Sequence, residues 1–229
     1  MNRTKLLAIL AFLFAAPVIG GAQQQYGRDS DVWRWDGRVE SGRWMHVFNL
    51  NGTVEFTPSP DNMVHLVAEK RSNGREMDDI HYEVVPAGGN VTICAIWNNN
   101  SRCEDGDMQQ YRHNDHNENH SSVKFTVRVP RGVKVGAHSV NGNVDARMAS
   151  LQGDDDMDFK TVNGSVSIYV PARFDANFRF DTVHGGIDSD FPLTISGRWG
   201  PRHASGRIGN GGRDIRASSV NGSIELRKQ

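Results

Sequence analysis

The chain has 229 residues, including 24 glycines and 8 prolines, and a formal charge of −1. That balance argues against an electrostatic nucleic-acid binder, which carries a clustered basic face. Long helix-forming runs are absent after the N-terminus, and the composition suits many short strands joined by turns.

Residues 1–22 read as a secretory signal peptide. Arg3 and Lys5 precede an apolar run from Leu6 to Val18, and Gly20-Gly21-Ala22 offers small residues for cleavage after Ala22. The run is shorter than the ~20 residues a spanning helix needs, so no integral membrane segment is expected once the signal is removed. The mature chain is therefore expected in the periplasm, the cell envelope or the extracellular space. Residues 23–30 are polar and Gln-rich, a flexible leader. In an oxidising compartment the only two cysteines, Cys94 and Cys103, are expected to form a disulfide that staples a local loop. A redox pair would have the C-x-x-C spacing, which is missing here.

Residues 31–121 form an N-terminal β region. Strand text runs through Asp31–Trp35, Trp44–Leu50, Thr53–Pro58, Met63–Lys70 and Ile80–Val85, with the period-two alternation of half-buried strands. Residues 104–120 break the pattern with almost no apolar side chains, which predicts an exposed excursion beside the disulfide. Strand text resumes from Ser122, and residues 122–229 are a β-strand repeat region, expected to be continuous with 31–121.

The repeat is a six-residue phrase. Ser139-Val140-Asn141-Gly142-Asn143-Val144 returns as Thr161–Val166, Thr182–Ile187 and Ser219–Ile224, with a looser copy at Asn49–Val54. Its centre is Asn51-Gly52, Asn141-Gly142, Asn163-Gly164, His184-Gly185 and Asn221-Gly222. Gly142 to Gly164 is 22 residues, Gly164 to Gly185 is 21, and Gly185 to Gly222 is 37, near two periods. Proline closes several strands on a similar step, as at Pro171 and Pro192. Fixed-period repetition is the mark of stacked units that bury their faces on their neighbours. The leading expectation is an all-β solenoid of roughly 21-residue coils, and the alternative is an antiparallel β-sandwich whose hairpins turn at Asn-Gly. In the solenoid, Val140, Val162, Val183 and Val220 line one apolar column and Val144, Val166, Ile187 and Ile224 a second. Asn141, Asn163 and Asn221 form a corner ladder, with His184 substituting. Positive φ at the glycines is the expected reason for the turns.

The Val-Asn-Gly-Ser-Val and Val-Pro-x-Gly phrases behind a signal peptide resemble the bacterial putative-adhesin family of β-strand-repeat envelope proteins, best from Ser122 onward. The resemblance implies a β-helix-like fold and surface adhesion, and it transfers no site residues.

Candidate chemistry is sparse. His113, His116 and His120, with Asp115 and Glu118, could gather zinc, copper or nickel, although the surroundings suit a solvated loop better. Asp154, Asp155, Asp156 and Asp158 lack the alternating ligands of a calcium loop. Trp33, Trp35 and Trp44 could form a carbohydrate platform, but such residues more often cap a core. No G-x-S-x-G elbow, P-loop or dinucleotide fingerprint is present. The expectation is a non-enzymatic envelope scaffold or binding surface, without cofactor, for a protein or glycan partner. The alternatives are a metal- or ligand-binding periplasmic protein using the 104–120 loop, and a polysaccharide-active enzyme, which would need paired acids.

Overall fold

The computed structural model describes residues 32–72, 80–97, 101–109, 121–148, 155–192, 194–196 and 201–229. The expected signal peptide and leader lie outside these residues. Every regular element described is a strand: β1 (Val32–Gly37), β2 (Trp44–Asn51), β3 (Val54–Pro58), β4 (Val64–Ser72), β5 (His81–Ala87), β6 (Asn90–Ile96), β7 (Arg102–Glu104), β8 (Asp107–Gln109), β9 (Ser121–Val129) and β10 (Lys134–Asn141). Then come β11 (Val144–Arg147), β12 (Met157–Asn163), β13 (Val166–Val170), β14 (Ala176–His184), β15 (Ile187–Ser189), β16 (Thr194–Ser196), β17 (Arg202–Ile208), β18 (Arg213–Asn221) and β19 (Ile224–Lys228).

All of these strands but β7 and β8, which pair with each other, form two large sheets. The smaller has the order β1-β4-β9-β3-β11-β13-β19-β15 and the larger β16-β17-β14-β18-β12-β10-β2-β6-β5. Each copy of the repeat places its first strand in the large sheet and, after Asn-Gly, its second in the small one. Pairing between copies is parallel: β2, β10, β12, β18 and β14 neighbour one another in one sheet, and β3, β11, β13, β19 and β15 in the other. Antiparallel pairs occur at the outer strands, such as β1 with β4 and β5 with β6. The centre therefore lacks the hairpins of the antiparallel alternative.

Alternation explains the core. Val135 and Ala137 on β10, Met157 and Phe159 on β12, and Ile215 and Ala217 on β18 point inward against Val144, Val166, Ile168 and Leu226 of the small sheet. The buried cluster runs from Trp33 to Leu226.

The repeat copies do not stack in chain order. The last copy, β18–β19, sits between β12–β13 and β14–β15. The 37-residue interval is accordingly not two shortened periods of the stack. After β15 the chain builds β16 and β17 antiparallel along the edge beside β14, then crosses the start of β14 through Gly209–Gly212 to enter on its other side. The carboxylate of Asp175 accepts the Asn210 amide at 2.9 Å and fastens that crossing. Beside the first copy, β6 pairs parallel with β2 in the large sheet and β9 parallel with β3 in the small one. The polar excursion expected over 104–120 begins with order: β7 and β8 pair as a hairpin, and residues 110–120 lie outside the described residues.

Within the phrase, each position has its own task, and two differ from expectation. Ser139, Thr161, Thr182 and Ser219 are buried, and their hydroxyls donate to Gly52, Gly142, Gly222 and Gly164 carbonyls at 3.1, 2.9, 2.8 and 2.9 Å. The column expected to be apolar at Val140, Val162, Val183 and Val220 instead lies on the outer face: Val140 is half-buried, and Val162, Val183 and Val220 are 40%, 38% and 40% exposed. Parity is the reason: these valines stand one residue beyond the inward-facing hydroxyls, so they point out. The second column is buried as expected at Val144, Val166, Ile187 and Ile224. Asn141 donates to Asn51, Asn163 to Asn141 and Asn221 to Asn163, each at 2.8 Å, and His184 stands in register with Asn221.

The glycines are the second difference. Gly52 has φ of 116°, but Gly142, Gly164, Gly185 and Gly222 are not among the positive-φ residues. They are glycine because the layers touch there. A Cβ on Gly164 would lie 2.1 Å from the Gly142 carbonyl oxygen, and one on Gly222 1.9 Å from that of Gly164.

Replacing Thr161 with Val should cost about 1–3 kcal/mol in chemical denaturation, because the Gly142 carbonyl loses its buried hydroxyl partner. Val162→Thr, one residue on and exposed, should stay within about 0.5 kcal/mol of the parent. Equal costs would contradict the assigned facing.

Candidate functional site

The outer face of the large sheet carries the most developed surface. Trp44, His46 and Phe48 project from β2, Gly136, His138 and Val140 from β10, and Asp158, Lys160 and Val162 from β12. Register pairs His46 with Gly136, where a Cβ would come within 2.2 Å of the imidazole, so the missing side chain gives the ring its space. Trp44 stacks on His46 with centroids 4.9 Å apart, and the Lys134 ammonium lies 5.7 Å from the Trp44 ring. His138 meets Phe48 edge-on at 5.1 Å.

The Cys94–Cys103 disulfide ties β6 to the β7–β8 hairpin, which folds over this face. Phe48, Cys94, Ile96 and Cys103 form a separate buried cluster against which Met108 and Val85 pack. The Gly106 amide donates to the Thr92 hydroxyl at 2.8 Å, and the Cys103 amide to the Glu83 carboxylate at 3.1 Å. A groove of about 380 Å³ remains beside the hairpin, lined by Phe48, Met108, His138, Val140, Lys160 and Val162. Its two lining hydroxyls, Ser139 and Thr161, are already donated to backbone carbonyls. Lys160 pairs with Asp158 at 3.2 Å. The groove thus presents apolar side chains, the His138 ring and one cation.

Both histidines are held below their usual value of 6.5, chiefly because burial disfavours the charged ring; Asp158 opposes that in each, and Lys160 adds to it. At neutral pH they are uncharged. A base with a depressed folded pKa gives its full stability above its unfolded value and loses it as pH falls through and below 6.5. His65 runs the other way: its hydrogen bond to Asp36, aided by Asp61, raises its pKa, so its contribution is full below 6.5 and lost as pH rises through the raised value. Between pH 7.5 and 5 the melting temperature should fall, and His138→Gln should flatten that fall. An identical slope in the variant would show that His138 does not titrate into the fold.

The other sequence candidates are scattered. His113, His116 and His120 lie outside the described residues, as does Asp154. Asp156 accepts Lys134 at 2.7 Å and the Asp214 amide at 2.8 Å, apart from Asp158 and its own lysine. Among the described residues no three His, Cys, Asp or Glu side chains converge as a metal site. Trp33 and Trp35 are buried, so neither forms an exposed platform. The residues sequence reasoning missed are Phe48, Met108, His138 and Lys160. Counting in twos from the buried Ser139 and Thr161 would have put His138, Lys160 and the valines on the outer face. Met108 carried no signal.

No family model matches the chain, and no curated protein matches it. Among solved structures it is similar to one described as a putative cell adhesion protein from Clostridium sporogenes ATCC 15579. Identity is 7% over 86% of this chain and 99% of that one, with a TM-score of 0.48. It is also similar to a putative adhesin from Bacteroides fragilis NCTC 9343, at 10% identity over 85% and 96% of the two chains and a TM-score of 0.23. At this distance neither likeness bears on what the chain does. Among the described residues no helix is long and apolar enough to cross a membrane.

Proposed function

We propose that the chain is an exported, non-enzymatic envelope protein, a solenoid-like stack whose large-sheet outer face is a binding surface of the adhesin kind. The observation that carries this is the row of solvent-facing valines, Val162, Val220 and Val183, laid side by side on neighbouring strands and running into the apolar groove at Val140. The repeat presents an aliphatic side chain outward in every layer, where a purely structural strand would carry a polar one. Export is supported by the N-terminal pattern and by a disulfide, which belongs to an oxidising compartment. The non-enzymatic reading is supported by lining hydroxyls already committed to the backbone.

Protease treatment of intact producing cells should remove the protein if the surface is displayed. Beads coated with residues 31–229 should adhere to cells or to matrix-coated plates, and Val162→Lys with Val220→Asp, an opposite-charge pair in register, should abolish adherence without lowering the melting temperature. Failure of the parent beads to adhere overturns the reading. Undiminished adherence by the variant moves the contact away from the valine row.

A further inference from the structure

A second surface lies on the same sheet toward its other edge, several residues back along the strands. Arg207 on β17, Arg179 on β14 and Arg216 on β18 stand on three adjacent strands. Arg179 and Arg216 are directly paired in parallel register, and Arg207 is paired with Asn177. They line a shallow depression of about 600 Å³ together with Asn177, Ser205 and Asp214.

Like charges in register on neighbouring strands repel, so such a pair works against the sheet that carries it. Arg216 is neutralised by Asp214 at 2.8 Å. Among the described residues the side chains of Arg179 and Arg207 make no ion pair or hydrogen bond, which leaves two exposed guanidinium forks free. A guanidinium fork suits two oxygens of one oxyanion, and strands about 4.8 Å apart space successive forks as a ladder. The neighbours are hydroxyl- and amide-bonding groups: Asn177 donates to Asp214 at 3.5 Å, and Ser205 lies in register with Arg179. The track is local, ending at Asp158 on β12 and at the Asp181–His203 pair on β14 and β17. With a chain charge of −1 there is no broad basic field for a phosphodiester polymer.

We infer that this arginine track binds a linear acidic polysaccharide, its carboxylates held by Arg179 and Arg207 and its hydroxyls by Asn177, Ser205 and Asp214. This site is separate from the valine row and stands or falls without it.

The test is calorimetric titration of residues 31–229 with polygalacturonate, neutral dextran, inorganic phosphate and a single-stranded oligonucleotide at low and high salt. Polygalacturonate should bind and dextran should not. Arg179→Gln with Arg207→Gln should weaken polygalacturonate at least tenfold at a melting temperature no lower than the parent's, while Arg71→Gln, on β4, should leave binding unaltered. The Val162→Lys, Val220→Asp variant should still bind it. No binding by the parent, or equal binding by the double arginine variant, overturns the inference. Phosphate binding as tightly as the polymer reduces the site to a simple anion site and overturns the polysaccharide. An oligonucleotide binding more tightly replaces it with nucleic acid.

Discussion

Gly164→Asn should destabilise the protein by about 3 kcal/mol or more, and Gly164→Ala by a similar amount, read as the midpoint shift in denaturant. For a chain this size that corresponds to roughly 6–12 °C in melting temperature. The choice of Asn separates two explanations of the repeat. Asn accepts left-handed backbone better than other residues with a side chain, so a glycine retained only for positive φ should tolerate it. Gly164 does not adopt that conformation, and its Cβ would collide with the Gly142 carbonyl at 2.1 Å. A backbone oxygen held by the Thr161 hydroxyl cannot swing aside as a side-chain tip can. Gly88 is the control: φ is 57° and nothing lies within 4 Å of a Cβ. Gly88→Asn should therefore cost no more than about 1 kcal/mol. If Gly164→Asn melts like the parent, the close-approach explanation is wrong.

The same contrast shows what sequence could and could not convey. A glycine recurring at a fixed step announced stacking, and Asn beside it announced a ladder, because both are local signals with a period. The reason for the glycine was not local. It depends on which carbonyl lies beneath it, and for Gly222 that is Gly164 rather than a group of the preceding copy. Chain order also misled at the 37-residue interval, since insertion of β18 beside β14 depends on the edge hairpin β16–β17 and the Gly209–Gly212 crossing. The outward valines were misplaced for a simpler cause. Val suggests a core, and only parity with the buried Thr161 or Ser219 shows otherwise. The groove was half legible: His138 and Lys160 follow from alternation, but the hairpin bringing Met108 over Phe48 sits in a polar stretch that looks like solvent-exposed loop.

Phe159→Ala should cost about 3–5 kcal/mol, since the fully buried ring leaves a cavity that surrounding strands cannot close. The ring projects from β12 in the large sheet and meets Phe56 of β3, in the small sheet, at 5.7 Å between centroids. That contact joins residues more than a hundred positions apart, from the N-terminal β region and the repeat region. If the two regions are one cooperative unit, damage in the second must be felt in the first. Four of the five tryptophans lie between residues 33 and 97, so fluorescence reports mainly on the first region while far-UV circular dichroism reports on both. A single transition, shifted down by roughly 6–20 °C and coincident by the two probes, is expected. Fluorescence that melts at the parent temperature while dichroism moves would mean that residues 31–121 hold together without the repeats, and the chain would then be two domains that share a sheet.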